Sequence, residues 1–154
     1  MRNSIKDLIK LKDRKRCNTV KAILETYDIN LKLIDEYQKE IEEKNENINY
    51  LRSSLSNANE VKGSGMAKDD ILIRDIDKIT YLKNEIKIIK KENQQVKNAI
   101  NSIDDPIAKS IIMRIWVKNI DSMRSLATAL NLSHTMIWRK SDTALLSLYK
   151  KLIK

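Results

Sequence analysis

The chain has 154 residues, of which 30 are Lys or Arg and 21 are Asp or Glu, and its formal charge is +9 at pH 7. Aromatic residues make up only 5%, Phe is absent, and the chain holds two Gly and one Pro. This composition excludes β-sandwiches and β-barrels, which need aromatic strands and turns rich in Gly and Pro. The many Lys, Glu, Ile, Leu and Asn residues instead predict an all-α protein built from long helices.

The sequence argues against a membrane or secreted protein. No apolar run approaches the roughly 18–20 residues of a membrane span, and the basic N-terminus lacks the apolar segment of a secretory signal. The single cysteine, Cys17, excludes an internal disulfide and a zinc site with several Cys ligands. We therefore expect a cytoplasmic protein in which Cys17 is an inert thiol.

The positive charge is concentrated at the two ends of the chain. Residues 1–24 carry eight Lys or Arg against two Asp, and residues 103–154 carry nine Lys or Arg against four Asp. Residues 25–60 are acidic, with four Lys or Arg against nine Asp or Glu. A polyanion would therefore contact the two ends. Possible phosphate contacts in the first segment are Lys12, Arg14, Lys15 and Arg16, and the alternative is a solvated helix face.

Two heptad seams predict two long helices after a less regular start. Residues 4–24 have poor periodicity and predict a short helix or an ordered arm. Apolar positions then recur at alternating steps of three and four, a coiled-coil pattern. The first seam is Ile34, Tyr37, Ile41, Lys44, Ile48, Leu51 and Leu55, and the second is Ile79, Leu82, Ile86, Ile89, Asn93, Val96, Ile100 and Ile103. Both glycines lie between the seams and predict a loop near residues 56–68.

These seams predict a long antiparallel helical hairpin. Neither seam can bury itself, so each helix must pack on the other, on a second subunit, or on both. The pattern leaves open whether the seams pair within or between subunits. We expect a homodimer in which Asn93, a polar residue at a seam position, sets the register. The alternative is a monomeric hairpin with a solvated Asn93.

The last third of the chain predicts a small helix-turn-helix domain. Asp105 suits an N-cap and Pro106 the first helical position, and this helix should end near residues 118–119. Asp121 is the expected N-cap of the next helix. Asn131 suits a left-handed turn, and Ser133 should cap a final helix from His134 to about residue 151. A short helix followed by a three-residue turn and a second helix is the outline of a DNA-binding helix-turn-helix.

The final helix offers one face to the core and one to a ligand. Expected packing residues are Leu126, Ala127, Leu130, Leu132, Ile137, Ala144 and Leu148, with Trp116 in the core. The opposite face presents Thr135, Arg139 and Asp142, with Trp138 on its flank and Ser133 and His134 at its tip. Arg139 suits guanine in the major groove, whereas Arg124 and Lys140 suit phosphates. Trp138 suits DNA or a partner such as RNA polymerase, or partial burial.

The stretch from Asp121 to Leu145 resembles the region 4 helix-turn-helix of bacterial sigma factors. The matching motifs are Leu126-Ala127, Leu132-Ser133, Ile137 to Lys140, and Ala144-Leu145. Lys140 departs from the pattern, because the family usually has an apolar residue there, and Met136 is the candidate to replace it. The whole arrangement is similar to small phage late-transcription regulators of the RinA/ArpU type, including their preceding helix around Arg114 and Trp116.

That resemblance implies a sequence-specific, DNA-binding transcriptional regulator of phage origin, acting in the bacterial cytoplasm. The expected domains are a helical arm and hairpin over residues 1–103 and a helix-turn-helix domain over 104–154. The expected partners are double-stranded DNA and a second copy of the chain, and RNA polymerase is a further candidate. Two alternatives stay open, a factor that acts on a host protein through the hairpin and a DNA-packaging factor resembling a small terminase subunit.

The residues do not predict an enzyme, a metal site or a cofactor. A nucleophile and base pair would have to join Cys17 to His134, the one histidine of the chain. The adjacent carboxylates at 69–70 and 104–105 are typical of helix caps rather than of a metal site. Two glycines are too few for a Gly-rich phosphate loop.

Overall fold

The computed structural model describes residues 4–57 and 65–153, and these residues are mostly helical and include no strand. The predicted all-α class is therefore confirmed. The helices are α1 (Ile5–Asn57), α2 (Gly65–Asn101), α3 (Pro106–Ile111), α4 (Met123–Leu130) and α5 (His134–Leu152), and α3 continues into a π-helical segment, Ile112–Val117. No helix of the described residues is long and apolar enough to span a membrane.

The long N-terminal helix is continuous. The prediction of a separate short helix or arm over residues 4–24 is wrong, because α1 runs unbroken for 53 residues. The predicted loop range is also too wide, since α1 reaches Asn57 and α2 begins at Gly65. The remainder of that predicted loop, residues 58–64, lies outside the described residues.

Two compact units make up the chain. We name Leu31–Lys91 the hairpin unit, and Met1–Asn30 together with Glu92–Lys154 the head unit. The sequence predicts a domain boundary between residues 103 and 104, whereas the head unit contains the helix-turn-helix together with the start of α1 and the end of α2.

The hairpin unit is held by the predicted seams. Ile34, Ile86 and Ile89 form a buried cluster between α1 and α2. Lys44, the charge within the first seam, pairs with Asp75 at 3.6 Å. An opposite charge thus offsets the cost of placing a lysine among apolar side chains.

The head unit has two apolar clusters that share α5. One joins Val20 and Leu24 of α1 and Ile100 of α2 to Leu145 and Leu148 of α5. The other lies under the helix-turn-helix and consists of Ile111, Ile115, Met123, Leu126, Ala127 and Ile137. Full burial of each large aliphatic side chain contributes about 1.5–3 kcal/mol, so α5 is fixed along its whole inner face.

Asn93 joins α2 to α1 within the head unit. Its side chain is 6% exposed, donates to the Tyr27 carbonyl at 3.2 Å and accepts from Asn30 Nδ2 at 3.0 Å. The alternative of a solvated Asn93 is therefore wrong. Because its partners belong to the same chain, Asn93 sets the register of α1 against α2 rather than of one subunit against another.

Candidate nucleic-acid interface

Helix α3 and its π-helical continuation pack against the apolar side of the helix-turn-helix. The prediction of Asp105 as N-cap is confirmed, since its carboxylate accepts from the Ile107 N–H at 3.0 Å, and Pro106 starts the helix. Trp116 lies half-buried against both apolar clusters. Its Nε1 donates at 2.9 Å to the Oγ of Ser141, which is fully buried in α5. The predicted core role of Trp116 is thus confirmed.

Helix α4 begins one residue later than predicted. The N-cap is Ser122, whose Oγ accepts from the Ser125 N–H at 3.0 Å while the Ser125 Oγ accepts from the Ser122 N–H at 2.8 Å. Asp121 instead accepts from Arg114 and from Ser125. The Arg114 hydrogen bond, supported by Ser125, lowers the pKa of Asp121. The prediction of Asp121 as N-cap is wrong because this carboxylate instead binds Arg114 of the π-helical segment.

The turn between α4 and α5 forms as the sequence predicts. Asn131 adopts a left-handed conformation, φ 55° and ψ 44°, and the following Leu132 N–H donates to the Ala127 carbonyl at 2.9 Å. Ser133 caps α5 through its Oγ, which accepts from the Met136 N–H at 3.1 Å. The N–H groups of His134 and Thr135 have no acceptor within the helix and are available to an anion.

The inner and outer faces of α5 are clearly separated. Ile137, Leu145 and Leu148 are fully buried, whereas Thr135 and Arg139 are exposed. Within the described residues the Arg139 guanidinium has no ion-pair partner. It borders an open cleft of about 460 Å³ that also includes Asp105, Thr143 and Lys151. The two predicted reading side chains are therefore exposed on the surface of the head unit.

Lys140 is already bound within the chain. Its Nζ donates to Asp105 Oδ2 at 2.6 Å, and this hydrogen bond is the main cause of the lowered pKa of Asp105. Lys140 was predicted to contact phosphate, but in the structure it binds the N-cap residue of α3. Met136 is 44% exposed, so the suggestion that it replaces the missing apolar residue is wrong.

The aromatic flank of the predicted reading face is organised by one hydrogen bond. Trp138 Nε1 donates to His134 Nε2 at 3.1 Å, and the two rings meet edge to face with centroids 6.0 Å apart. This bond requires the neutral imidazole with its proton on Nδ1. Both side chains are exposed.

Trp138 and Asp142 also border α1. They line an open groove of about 540 Å³ with Lys10, Asp13, Arg14, Cys17, Asn18, Lys21 and Leu146. Asp142 was predicted on the reading face beside Thr135 and Arg139. The structure leaves it exposed but places it at the α1 side of α5.

The predicted basic run on α1 contains one residue that is held by contacts within the head unit and three that are exposed. The Arg16 guanidinium lies 5.3 Å from the centre of the Tyr149 ring and 4.0 Å from the Asp13 carboxylate. Arg16 is therefore held by contacts within the head unit. Lys12, Arg14 and Lys15 are exposed, as is the predicted phosphate contact Arg124 of α4. Sequence reasoning missed Lys21, whose Nζ lies 4.2 Å from the centre of the Trp116 ring. No spacing rule links residues so far apart in the chain.

Cys17 is 6% exposed, in the cluster between α1 and α5. Burial, followed by the nearby Asp142, raises the pKa of its thiol, which lowers the thiolate fraction. Among residues 4–57 and 65–153, no group of three or more His, Cys, Asp or Glu is placed to hold a metal ion.

Comparisons with protein-family models, with curated proteins and with solved structures find no match to this chain.

Proposed function

We propose that this chain binds double-stranded DNA through α4 and α5 and acts as a sequence-specific transcriptional regulator. The observation that carries the proposal is the division of α5. Its inner face is anchored by Ile137 and Leu145, while Thr135 and Arg139 in its N-terminal half are exposed and unpaired within the described residues. A recognition helix needs this division, because the half that enters the major groove cannot also support the fold.

Each exposed group has a suitable role at a duplex. Arg139 presents a planar guanidinium for the O6 and N7 of guanine, and Thr135 suits a thymine methyl or a phosphate. The free N–H groups at the start of α5 suit a phosphate oxygen. The exposed Arg124 on α4 adds positive charge beside them. Lys140, held by Asp105, is not needed for this arrangement.

The first test selects a preferred site from random duplexes and measures affinity by fluorescence anisotropy across a salt series. With about six phosphate contacts, the log–log slope of affinity against salt should be near −5. A flat salt response, or no binding to any duplex, would show that DNA is not the ligand.

Arg139→Ala should reduce discrimination between the selected and a scrambled duplex by about 1–3 kcal/mol, because one base contact is lost. The matched control is Lys150→Ala, which removes one charge from the exposed C-terminal part of the same helix. The control should keep the discrimination. If the two variants lose discrimination equally, Arg139 does not read the sequence.

The proposed regulator acts as a homodimer. Since the two seams pair within one chain, a second copy must use another surface. Ile73, Tyr81 and Ile88 of α2 are 59%, 52% and 52% exposed and lie within about 80° of one another around the helix, at 100° per residue. This outer stripe lies opposite the seam of the hairpin unit and is the proposed contact with the second copy.

A further inference from the structure

We infer that the first turns of α1 form a second DNA-contact element, in which a row of Lys6, Lys10 and Arg14 binds the phosphate strand beside α5. This inference rests on the proposed function and extends it to a segment outside the helix-turn-helix. It assigns phosphate binding to the side of α1 that carries this row, so of the residues expected from the sequence Arg14 is retained and Lys12 is not.

The row follows from helix geometry. Lys6, Lys10 and Arg14 are spaced by four residues, so they lie on one side of α1 over about 12 Å at 1.5 Å per residue. All three are exposed, and none has an ion-pair partner within the described part of the chain. Three unpaired cations in a line suit a linear polyanion.

The row lies on the side of α1 that borders α5. Lys10 and Arg14 line the groove that Trp138 and Asp142 border on α5. Trp138 lies between the predicted reading residues Thr135 and Arg139 along α5. Arg16, on the other side of α1, lies instead over Tyr149 in the C-terminal half of α5. The row is therefore on the side of α1 that faces the DNA-reading half of α5.

The carboxylates of the groove limit which cations can contribute. Asp13 lies 4.0 Å from Arg16, and Asp142 lines the groove together with Cys17. Lys21 is held over the Trp116 ring. The cations that stay available at the groove are Lys10 and Arg14, and Lys6 extends them by one turn.

Lys12 provides a matched control on the same helix. It is also exposed, but two residues rotate a side chain by about 200°, which places Lys12 on nearly the opposite side of α1 from Lys10. Lys10→Ala and Lys12→Ala therefore remove the same charge from neighbouring turns and differ in the face that they change.

The experiment measures the affinity of both variants for the selected and for a scrambled duplex over a salt series. Lys10→Ala should lower affinity for both duplexes about fivefold to tenfold near 0.1 M salt and reduce the salt slope by about 0.9. Lys12→Ala should change neither quantity by more than about twofold. Circular dichroism of both variants should match that of the unmodified protein, since both side chains are exposed.

Three results would overturn the inference. Equal losses in both variants would mean that only total charge matters, and no loss in either would place DNA elsewhere. A loss for the selected duplex alone would make Lys10 a base reader. In each case the proposed function survives if Arg139→Ala still removes discrimination, whereas absence of DNA binding by the unmodified protein overturns both.

Discussion

Lys140 illustrates how one residue can satisfy packing and charge together. The sigma-like pattern has an apolar residue at this position, and a lysine there would leave a charge at the edge of the helix-turn-helix. Asp105, the N-cap of α3, supplies the opposite charge at 2.6 Å. Both side chains stay partly exposed, at 31% and 40%, so the pair contributes only a small stabilisation of about 0–1 kcal/mol. Its main effect is to position α5 against the start of α3.

The lowered pKa of Asp105 makes a prediction for stability against pH. Because the pKa is lower in the folded state than the ordinary value of about 3.8, the carboxylate stabilises the fold above that value, and this contribution is lost as pH falls through the folded pKa. Asp105→Asn retains an N-cap residue but removes the charge. It should therefore unfold at a lower temperature than the unmodified protein at pH 7, and the two melting curves should converge near pH 2.

Scanning calorimetry at several pH values provides the measurement. Asp104→Asn is the control, since it removes a neighbouring charge that does not bind Lys140. A constant difference between Asp105→Asn and the unmodified protein from pH 7 to pH 2 would contradict the ionic role of Asp105.

At the scale of elements, local signals predicted the helix-turn-helix and failed for α1. The caps at Asp105, Asn131 and Ser133 act over two to four residues, so they can be identified from the sequence. The unbroken α1 was missed because its seam changes phase. Steps of three and four from Cys17 to Tyr27 are followed by a second step of three to the polar Asn30 before the regular seam begins, a local irregularity that masks a continuous coiled-coil pattern.

The sequence could predict only those parts of the candidate site that depend on residues close together in the chain. Thr135 and Arg139 follow from the periodicity of α5, which separates an apolar face from a polar one. The partner of Lys140 lies 35 residues away, and Lys21 meets Trp116 across an even longer separation in the chain. Contacts of this kind depend on how the helices pack, and a single sequence has no rule that pairs them.

The polar contact at Asn93 makes a prediction for the pairing of α1 and α2. The Tyr27 carbonyl lies within α1, where a backbone N–H of the same helix can donate to it. The Asn30 side chain is half-buried and can hydrogen-bond to water. Replacing Asn93 by Leu therefore leaves no isolated polar group and completes the apolar seam. Asn93→Leu should raise the free energy of unfolding by about 1 kcal/mol, because added apolar burial exceeds the lost hydrogen bonds.

Asn93→Ala separates the two effects in the same urea titration. It removes the hydrogen bonds without filling the space, and should lower the free energy of unfolding by about 1–3 kcal/mol. If Leu destabilises as much as Ala, the hydrogen bonds of Asn93 contribute more than the added apolar burial, and the expected gain in stability is refuted.

At the scale of the whole molecule, the chain brings its basic ends into one unit. The head unit combines residues 1–30 with 92–154, and these segments include the most basic parts of the sequence. The acidic stretch falls largely in the hairpin unit. A polyanion is therefore attracted to the unit that holds the helix-turn-helix.

The proposed dimer follows from the exposed stripe on the hairpin unit and sets the strength of DNA binding. Tyr81→Glu or Ile88→Glu places a charge in the contact and should convert a two-chain particle into single chains by light scattering at about 10 µM. Ile29→Glu, an equally exposed apolar residue of the head unit, should leave the dimer intact. Single chains should still recognise one half-site but bind a paired site about 10²-fold more weakly, because the second contact is no longer intramolecular. One chain per particle in the unmodified protein would refute the dimer, and eight or more would instead favour a ring-forming packaging factor.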